Sequence, residues 1–394
     1  MIIGILNSGG DCPGINAVIE GFVSAAYQRA WRVIGFHDGF EGLLPMAGGR
    51  RYELLTPMKT HKIRAFGGTI LGTTNTGNFN VHVNKFGSAS IDKETMAKAK
   101  KTITALGLQA LVVIGGDGSA KTAQLFSEEG LPVICIPKTI NNDLCAASDY
   151  TFGFQSAVSV VSESIDRIRT TANAHKRIMV IEVMGNLSGW IALHSGIAAS
   201  ADVVLIPEIE FDLDKVVDCI KARKASGQRE IIVVVAEGAK LNGKWVTVKS
   251  TERGEERLGG IGNRLCRLLQ ELTGFTTRYC VLGHTQRGGS PCSFDRILGI
   301  RFGVEAVKLI EQKRFGVSLV LNGPQVSSVS IDEAVAKPRM VQPDSQIVQT
   351  ARELGIIFGD RSAAEMAAEI KGKAPAPKRT CKSKSAKPSE GEGK

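Results

Sequence analysis

At 394 residues the chain is longer than a single hydrophobic core usually serves, and with 43% hydrophobic and 22% charged residues it is neither disordered nor fibrous. The formal charge of +10 invites a nucleic-acid reading, but residues 371–394 hold eight Lys or Arg against two Glu, so six of those charges sit in the tail, with no base-reading motif. Eight cysteines stand singly without metal or redox spacing, no apolar run could span a bilayer, and Met1 leads straight into a strand-like MIIGIL, so a soluble, cytoplasmic chain is expected.

Short β-branched runs occur at 2–6, 111–114, 133–136, 178–183, 203–206, 231–235 and 279–282. IIVVV and LVVI show no polar alternation, as parallel strands buried on both faces require. Helical patterns lie between them at 14–30, 92–106, 119–129, 155–173, 212–225, 260–272 and 294–312. This alternation predicts an α/β chain of doubly wound, mainly parallel sheets, with ligands beyond the carboxyl ends of the strands. The final stretch, KGKAPAPKRTCKSKSAKPSEGEGK, has almost nothing to bury and is expected to be a disordered tail.

Three post-strand loops carry chemistry. The first is Asn7-Ser8-Gly9-Gly10-Asp11, running into a helix, where glycines let backbone N–H groups approach phosphate oxygens. The second is Gly115-Gly116-Asp117-Gly118-Ser119-Ala120-Lys121-Thr122. It fails as a Walker loop because Ala120 stands where glycine is required, but Asp117 at a strand end suits Mg²⁺, which takes few carboxylates and completes its shell with phosphate and water. The third is Pro137-Lys138-Thr139-Ile140-Asn141-Asn142-Asp143. Any one of them could be a plain turn, whereas three such loops together point to a polyanion site.

The segments NSGGDCPGINAVI, GGTILG, VVIGGDGS, PKTINND, YTFGF, HKRIMVIEVMG, GWIAL, VVAEG, GGIGN and TRYCVLGHTQRGGSPCSFDRILGIRFG resemble, in order over residues 1 to about 320, the phosphofructokinase family. The resemblance implies two lobes with a cleft between them. Residues 1–150 with about 286–325 would hold nucleotide and Mg²⁺, and 151–285 with about 326–362 the sugar phosphate. It implies donor phosphates at Gly9, Asn75, Thr76, Gly116, Asp117, Gly118 and Ser119, with Asp117 at the metal. Lys138, Thr139, Asn141 and Asp143 would serve the transfer. Fructose 6-phosphate would meet Thr139, Asn141, Met184, Gly185, Asn186, Glu237, Arg278, His284 and Arg287, with Arg177 supplied across a subunit interface of a homo-oligomer.

Three positions depart from the family pattern. Asn141 replaces an aspartate that takes the proton of the sugar hydroxyl, and Asn75 and Asn186 stand where many relatives have arginine. Gly118 favours ATP, because pyrophosphate users carry Asp there, although Lys138 resembles the pyrophosphate users. Glu20 and Ser24 replace arginines that bind effector phosphates in bacterial members, so that regulation is not expected. The readings are an ATP-dependent enzyme, a pyrophosphate-dependent one, and a low-activity regulatory paralogue that binds the same ligands.

Overall fold

The computed structural model describes residues 1–46, 49–74, 77–79, 82–83, 89–249, 256–366 and 368. The tail at 371–394 and the donor-phosphate candidates Asn75 and Thr76 lie outside them.

In chain order the first part runs β1 (Ile2–Ser8), α1 (Ile15–Tyr27), β2 (Arg32–Phe36), β3 (Tyr52–Leu55), the short ribbon β4 (His82–Val83) and β5 (Ala89–Ser90), α2 (Lys93–Ala105), β6 (Ala110–Gly115), α3 (Asp117–Glu128) and β7 (Val133–Pro137). The second runs α4 (Phe154–His175), β8 (Ile178–Val183), α5 (Trp190–Ala198), β9 (Val203–Leu205), α6 (Leu213–Ala225) and β10 (Ile231–Ala236). Two ribbons follow, β11 (Lys240–Leu241) with β12 (Lys244–Trp245) and β13 (Thr247–Lys249) with β14 (Glu256–Leu258). The chain ends with α7 (Ile261–Thr273), β15 (Thr277–Val281), α8 (Ser293–Glu311), β16 (Val317–Asn322), β17 (Gln325–Ser330), α9 (Ile331–Ala336) and α10 (Gln346–Glu353).

Two sheets organise these elements. The larger has the order β17-β16-β7-β6-β1-β2-β3 and the smaller β15-β8-β10-β9. All pairings are parallel except those of the edge strands β3 and β17. Every residue of β6, β7, β8 and β10 is buried, so their unbroken apolar runs have the physical basis read from the sequence. β17 pairs with β16 in the larger sheet and α9 packs against α3, β16 and β17, so 326–336 sit with the strands of that sheet, whereas the expectation grouped them with 151–285.

Packing between the elements fixes the loop positions. Helices α1 and α8 touch through glycines: a Cβ on Gly21 would lie 2.7 Å from the Ile300 carbonyl oxygen, and one on Gly303 2.3 Å from that of Val18. Helix α4 carries the core from Phe22 and Phe302 through Phe154 and Ile165 to Met179 and Ile181 of β8. With α4 so placed, the carboxyl ends of β1, β6 and β7 face the loops after β8 and β10. The order reverses between β1 and β6, the switch point at which such sheets bind ligands.

Candidate active site

An open cavity of about 590 Å³ lies where these loops meet. Its walls include Gly9, Gly116, Asp117, Gly118 and Ser119 on one side, and Lys138, Thr139, Asn141, Asp143, Asn186 and Arg287 on the other.

The first side is built by backbone. Gly9 has φ 84° and donates its N–H to the Thr74 carbonyl at 3.1 Å. Gly116 precedes α3, so the unpaired amides of that helix start open toward the cavity, and Asp117 sits in the first turn, where the helix dipole favours a carboxylate. Asp117 pairs with Lys121 at 2.7 Å, with both side chains about half exposed, so either can exchange its partner for a ligand at little cost. Gly118 has ordinary backbone angles, and a Cβ on it would meet nothing within 4 Å. Neither the fold nor packing demands glycine at that position.

On the other side, Lys138 is 3% exposed and its Nζ donates to the Gly10 carbonyl. It makes no ion pair among the described residues, and burial, with Arg287 adding to it, lowers its pKa to about 8 against the opposing pull of Cys12 and Asp11. Thr139 Oγ1 donates to Asp143 Oδ1 at 3.0 Å and accepts the Asn141 N–H at 3.0 Å, while Asn141 Nδ2 donates to Asp143 Oδ2 at 3.3 Å. Asn141 Oδ1 is buried with no partner. Burial raises the Asp143 pKa, and the bonds from Thr139 and Asn141 only partly oppose this. Asn142, with φ 56°, faces away and is structural: its Oδ1 accepts the Thr151 N–H at 3.0 Å.

The smaller sheet contributes a clamped loop. Glu237 Oε1 accepts the N–H groups of Gly185 at 3.1 Å and Asn186 at 2.8 Å, and burial raises the Glu237 pKa. A Cβ on Gly238 would stand 2.0 Å from the Asn186 carbonyl oxygen, so glycine is needed there. Ser188 Oγ reaches the Asn141 carbonyl at 3.3 Å. Arg287 Nη1 donates to the Asp11 carbonyl at 3.0 Å and joins the cavity from the turn Gly283–Arg287.

Not every candidate converges. Arg177 and Arg278 lie at the amino ends of β8 and β15, where Thr277 pairs with Ile178, and Arg278 Nη1 donates to the Thr277 carbonyl at 2.8 Å. The cavity opens at the opposite ends, about 17–20 Å away for strands of this length. Arg278 therefore does not share the cavity with Arg287 within one chain. Met184, Gly185, Glu237 and His284 border the region without lining the cavity, and His284 is exposed.

Sequence reasoning passed over Ser8, Phe40, Glu41, Phe79, Lys121 and Leu144, all of which line the cavity. It also missed the fully buried Gln286, whose Oε1 accepts the Met184 N–H at 3.3 Å. Only Ser8 and Lys121 stood inside loops already singled out. No described helix is long and apolar enough to cross a membrane, and no group of three or more His, Cys, Asp or Glu among the described residues could hold a metal ion.

Glycine-lined loops at the switch point of a doubly wound sheet, with one carboxylate at a helix start and a Thr-Asn-Asp loop opposite, define an α/β enzyme that handles phosphorylated ligands. The family model for phosphofructokinase matches residues 2–310. The chain is 46% identical over 358 residues to an ATP-dependent 6-phosphofructokinase of Chloroflexus aggregans, covering 91% of this chain and 98% of that one. It is 40% identical over 348 residues to a pyrophosphate–fructose 6-phosphate 1-phosphotransferase of Amycolatopsis methanolica, covering 87% and 97%. Among solved structures, Pichia pastoris phosphofructokinase in the T-state superposes with a TM-score of 0.73 at 28% identity over 95% of this chain, which spans 38% of that longer one. The chain belongs to the phosphofructokinase family.

Proposed function

We propose that the chain transfers the terminal phosphoryl group of Mg-ATP to fructose 6-phosphate, giving fructose 1,6-bisphosphate and ADP in the cytoplasm. The observation that carries the reading is that one cavity is lined by both the Gly116–Ser119 loop and the Thr139–Asp143 loop, so donor phosphates and acceptor hydroxyl can be held side by side. Gly118 supports ATP: a glycine that neither backbone nor packing requires leaves room for a nucleotide's inner phosphate. Donor phosphates would lie along Gly9 and Gly116–Ser119. A single half-exposed carboxylate in a phosphate cavity fits Mg²⁺, which Asp117 would hold together with donor oxygens, and the ion would neutralise charge on those oxygens.

Lys138 and Arg287 bring positive charge to the transferring group. The partnerless Oδ1 of Asn141 accepts a hydrogen bond from the acceptor hydroxyl but cannot take its proton. Asp143, the carboxylate bonded to Asn141, is then the nearest acceptor for that proton, and turnover is slow. The sugar phosphate rests on the Met184–Asn186 loop, Glu237, His284 and Arg287. Arg177 and Arg278, turned to the far end of their sheet, serve the equivalent site of a neighbouring subunit in a homo-oligomer. The lobes are 1–150 with about 286–336, and 151–285 with the chain beyond.

The pyrophosphate-dependent reaction is the second reading, favoured by the buried Lys138 and by the relative from Amycolatopsis methanolica. The test is steady-state formation of fructose 1,6-bisphosphate by the purified chain with Mg²⁺ and each donor in turn. More turnover with ATP supports the proposal, and more with pyrophosphate replaces it by the second reading.

A further inference from the structure

The two loops that face each other across the acceptor side belong to different sheets, and among the described residues one hydrogen bond joins them directly, from Ser188 Oγ to the Asn141 carbonyl at 3.3 Å. A third segment, 337–341, passes behind both on its way from α9 to α10. Arg339 donates its backbone N–H to the Asp143 carbonyl at 2.9 Å, and its own carbonyl accepts the indole N–H of Trp190, the first residue of α5, at 2.9 Å. Two residues on, the Val341 N–H meets Glu208 Oε1 at 3.0 Å, and the same oxygen accepts the N–H of Gly189, which ends the Gly185–Gly189 loop, at 3.0 Å. The Thr139–Asp143 loop is thus bonded to this segment directly, and the Gly185–Gly189 loop is joined to it through Glu208 and the adjoining Trp190.

The side chain of Arg339 fits this role better than one of stabilising the fold. Its guanidinium lies 4.3 Å from the centre of the Trp190 ring, but Nη1 is buried without a hydrogen-bond partner. Holding an unsatisfied cationic N–H out of water costs stability, and such a group persists where the fold needs its geometry.

We propose that Arg339 and Trp190 are positioning residues: segment 337–341 is a strap that holds the Thr139–Asp143 loop in register with the Gly185–Gly189 loop, and the Arg339–Trp190 stack is its latch. The proposal rests on the phosphofructokinase reading only for the consequence that the strap sets where Asn141 and Asp143 meet the acceptor. Donor phosphates lie on the other wall and do not feel it.

Two variants of the full chain test this. Trp190→Phe keeps an aromatic ring and deletes one hydrogen bond; Arg339→Met keeps the bulk over the ring and deletes the guanidinium with its unpartnered Nη1. In both, amide hydrogen exchange of the 139–143 and 185–189 segments should quicken threefold or more relative to wild type. With Mg-ATP and fructose 6-phosphate, kcat should fall roughly three- to tenfold, the size of one net hydrogen bond, at unchanged KM for ATP. Arg339→Met should melt no lower than wild type, so that activity and stability part company. Unchanged exchange in both segments, or a fall in kcat that only follows a fall in Tm, overturns the strap. A wild type that transfers nothing to fructose 6-phosphate would sink the functional reading instead, and the exchange comparison would still decide the strap.

Discussion

Replacing Asn141 by Asp restores a carboxylate where the cavity holds a partnerless amide oxygen, and its effect can be worked from the surroundings. The near-isosteric change leaves packing intact but exchanges the 3.3 Å hydrogen bond from Asn141 Nδ2 for a pair of carboxylates at that separation. At an effective dielectric of 20, two unit charges 3.3 Å apart repel by about 5 kcal/mol, enough to keep the pair from ionising together across the ordinary carboxylate range, and burial already raises the Asp143 pKa. The new carboxylate shares a proton with Asp143 at low pH and becomes a free base only as pH rises. The gain in kcat, up to roughly 10²–10⁴, should therefore grow as pH rises above the ordinary carboxylate range, at saturating Mg-ATP and fructose 6-phosphate. Stability should move the other way: carboxyl groups with raised folded-state pKa values bind more protons when folded, so the variant should lose Tm relative to wild type as pH rises. A wild type already turning over at an ordinary kinase rate, with no gain from the substitution at any pH, would refute the reasoning and make Asp143 the residue to replace next.

Gly118→Ala should stabilise the chain by about 0.5–1 kcal/mol in a melting experiment, because the site is open and its backbone angles are ordinary, yet raise the KM for ATP; Gly118→Asp should harm ATP use far more than pyrophosphate use. Donor affinity should weaken as pH rises above about 8, where buried Lys138 loses its proton, and Lys138→Met should bind donor weakly with that limb absent; a donor KM flat from pH 7 to 9 in the wild type would remove Lys138 from the donor side. Glu20 accepts the Lys62 and Arg64 amides at 3.2 and 2.9 Å and pairs with Arg64 at 2.5 Å. Burial pushes its pKa up, but those partners outweigh it and the net shift is downward, so its stabilisation holds above the ordinary glutamate pKa and is lost as pH falls through the lowered folded value. Glu20→Ala should cost about 1–3 kcal/mol at pH 7, discounted because Arg64 is half exposed, and less at pH 3; equal loss at both would mean packing alone.

Strands that are buried on both faces announce themselves, and β6, β7, β8 and β10 were legible for that reason. Edge strand β17, QVSSVS, mixes polar residues along its length, and helix α5, WIALHSGIA, is apolar nearly all round, so neither shows the period that reveals its kind. The same division runs through the site. Gly116, Asp117 and Asn141 stood in loops that follow strands, where a doubly wound sheet binds its ligands, and all three line the cavity. Arg278 and Arg287 looked like partners because one short motif contains both, but Arg278 sits near the start of β15 and Arg287 in the turn beyond its end, so the strand sets them at opposite ends of the sheet. The Glu237 clamp on Gly185 and Asn186, and the contact of Arg339 with Asp143, join residues far apart in sequence through backbone groups that carry no residue signature.

The most direct test offers the purified wild-type chain fructose 6-phosphate, Mg²⁺ and equal concentrations of ATP and pyrophosphate in one vessel, followed by phosphorus NMR. The account expects ADP and fructose 1,6-bisphosphate to accumulate slowly while pyrophosphate persists. Loss of pyrophosphate ahead of ATP, or no fructose 1,6-bisphosphate from either donor, would contradict it.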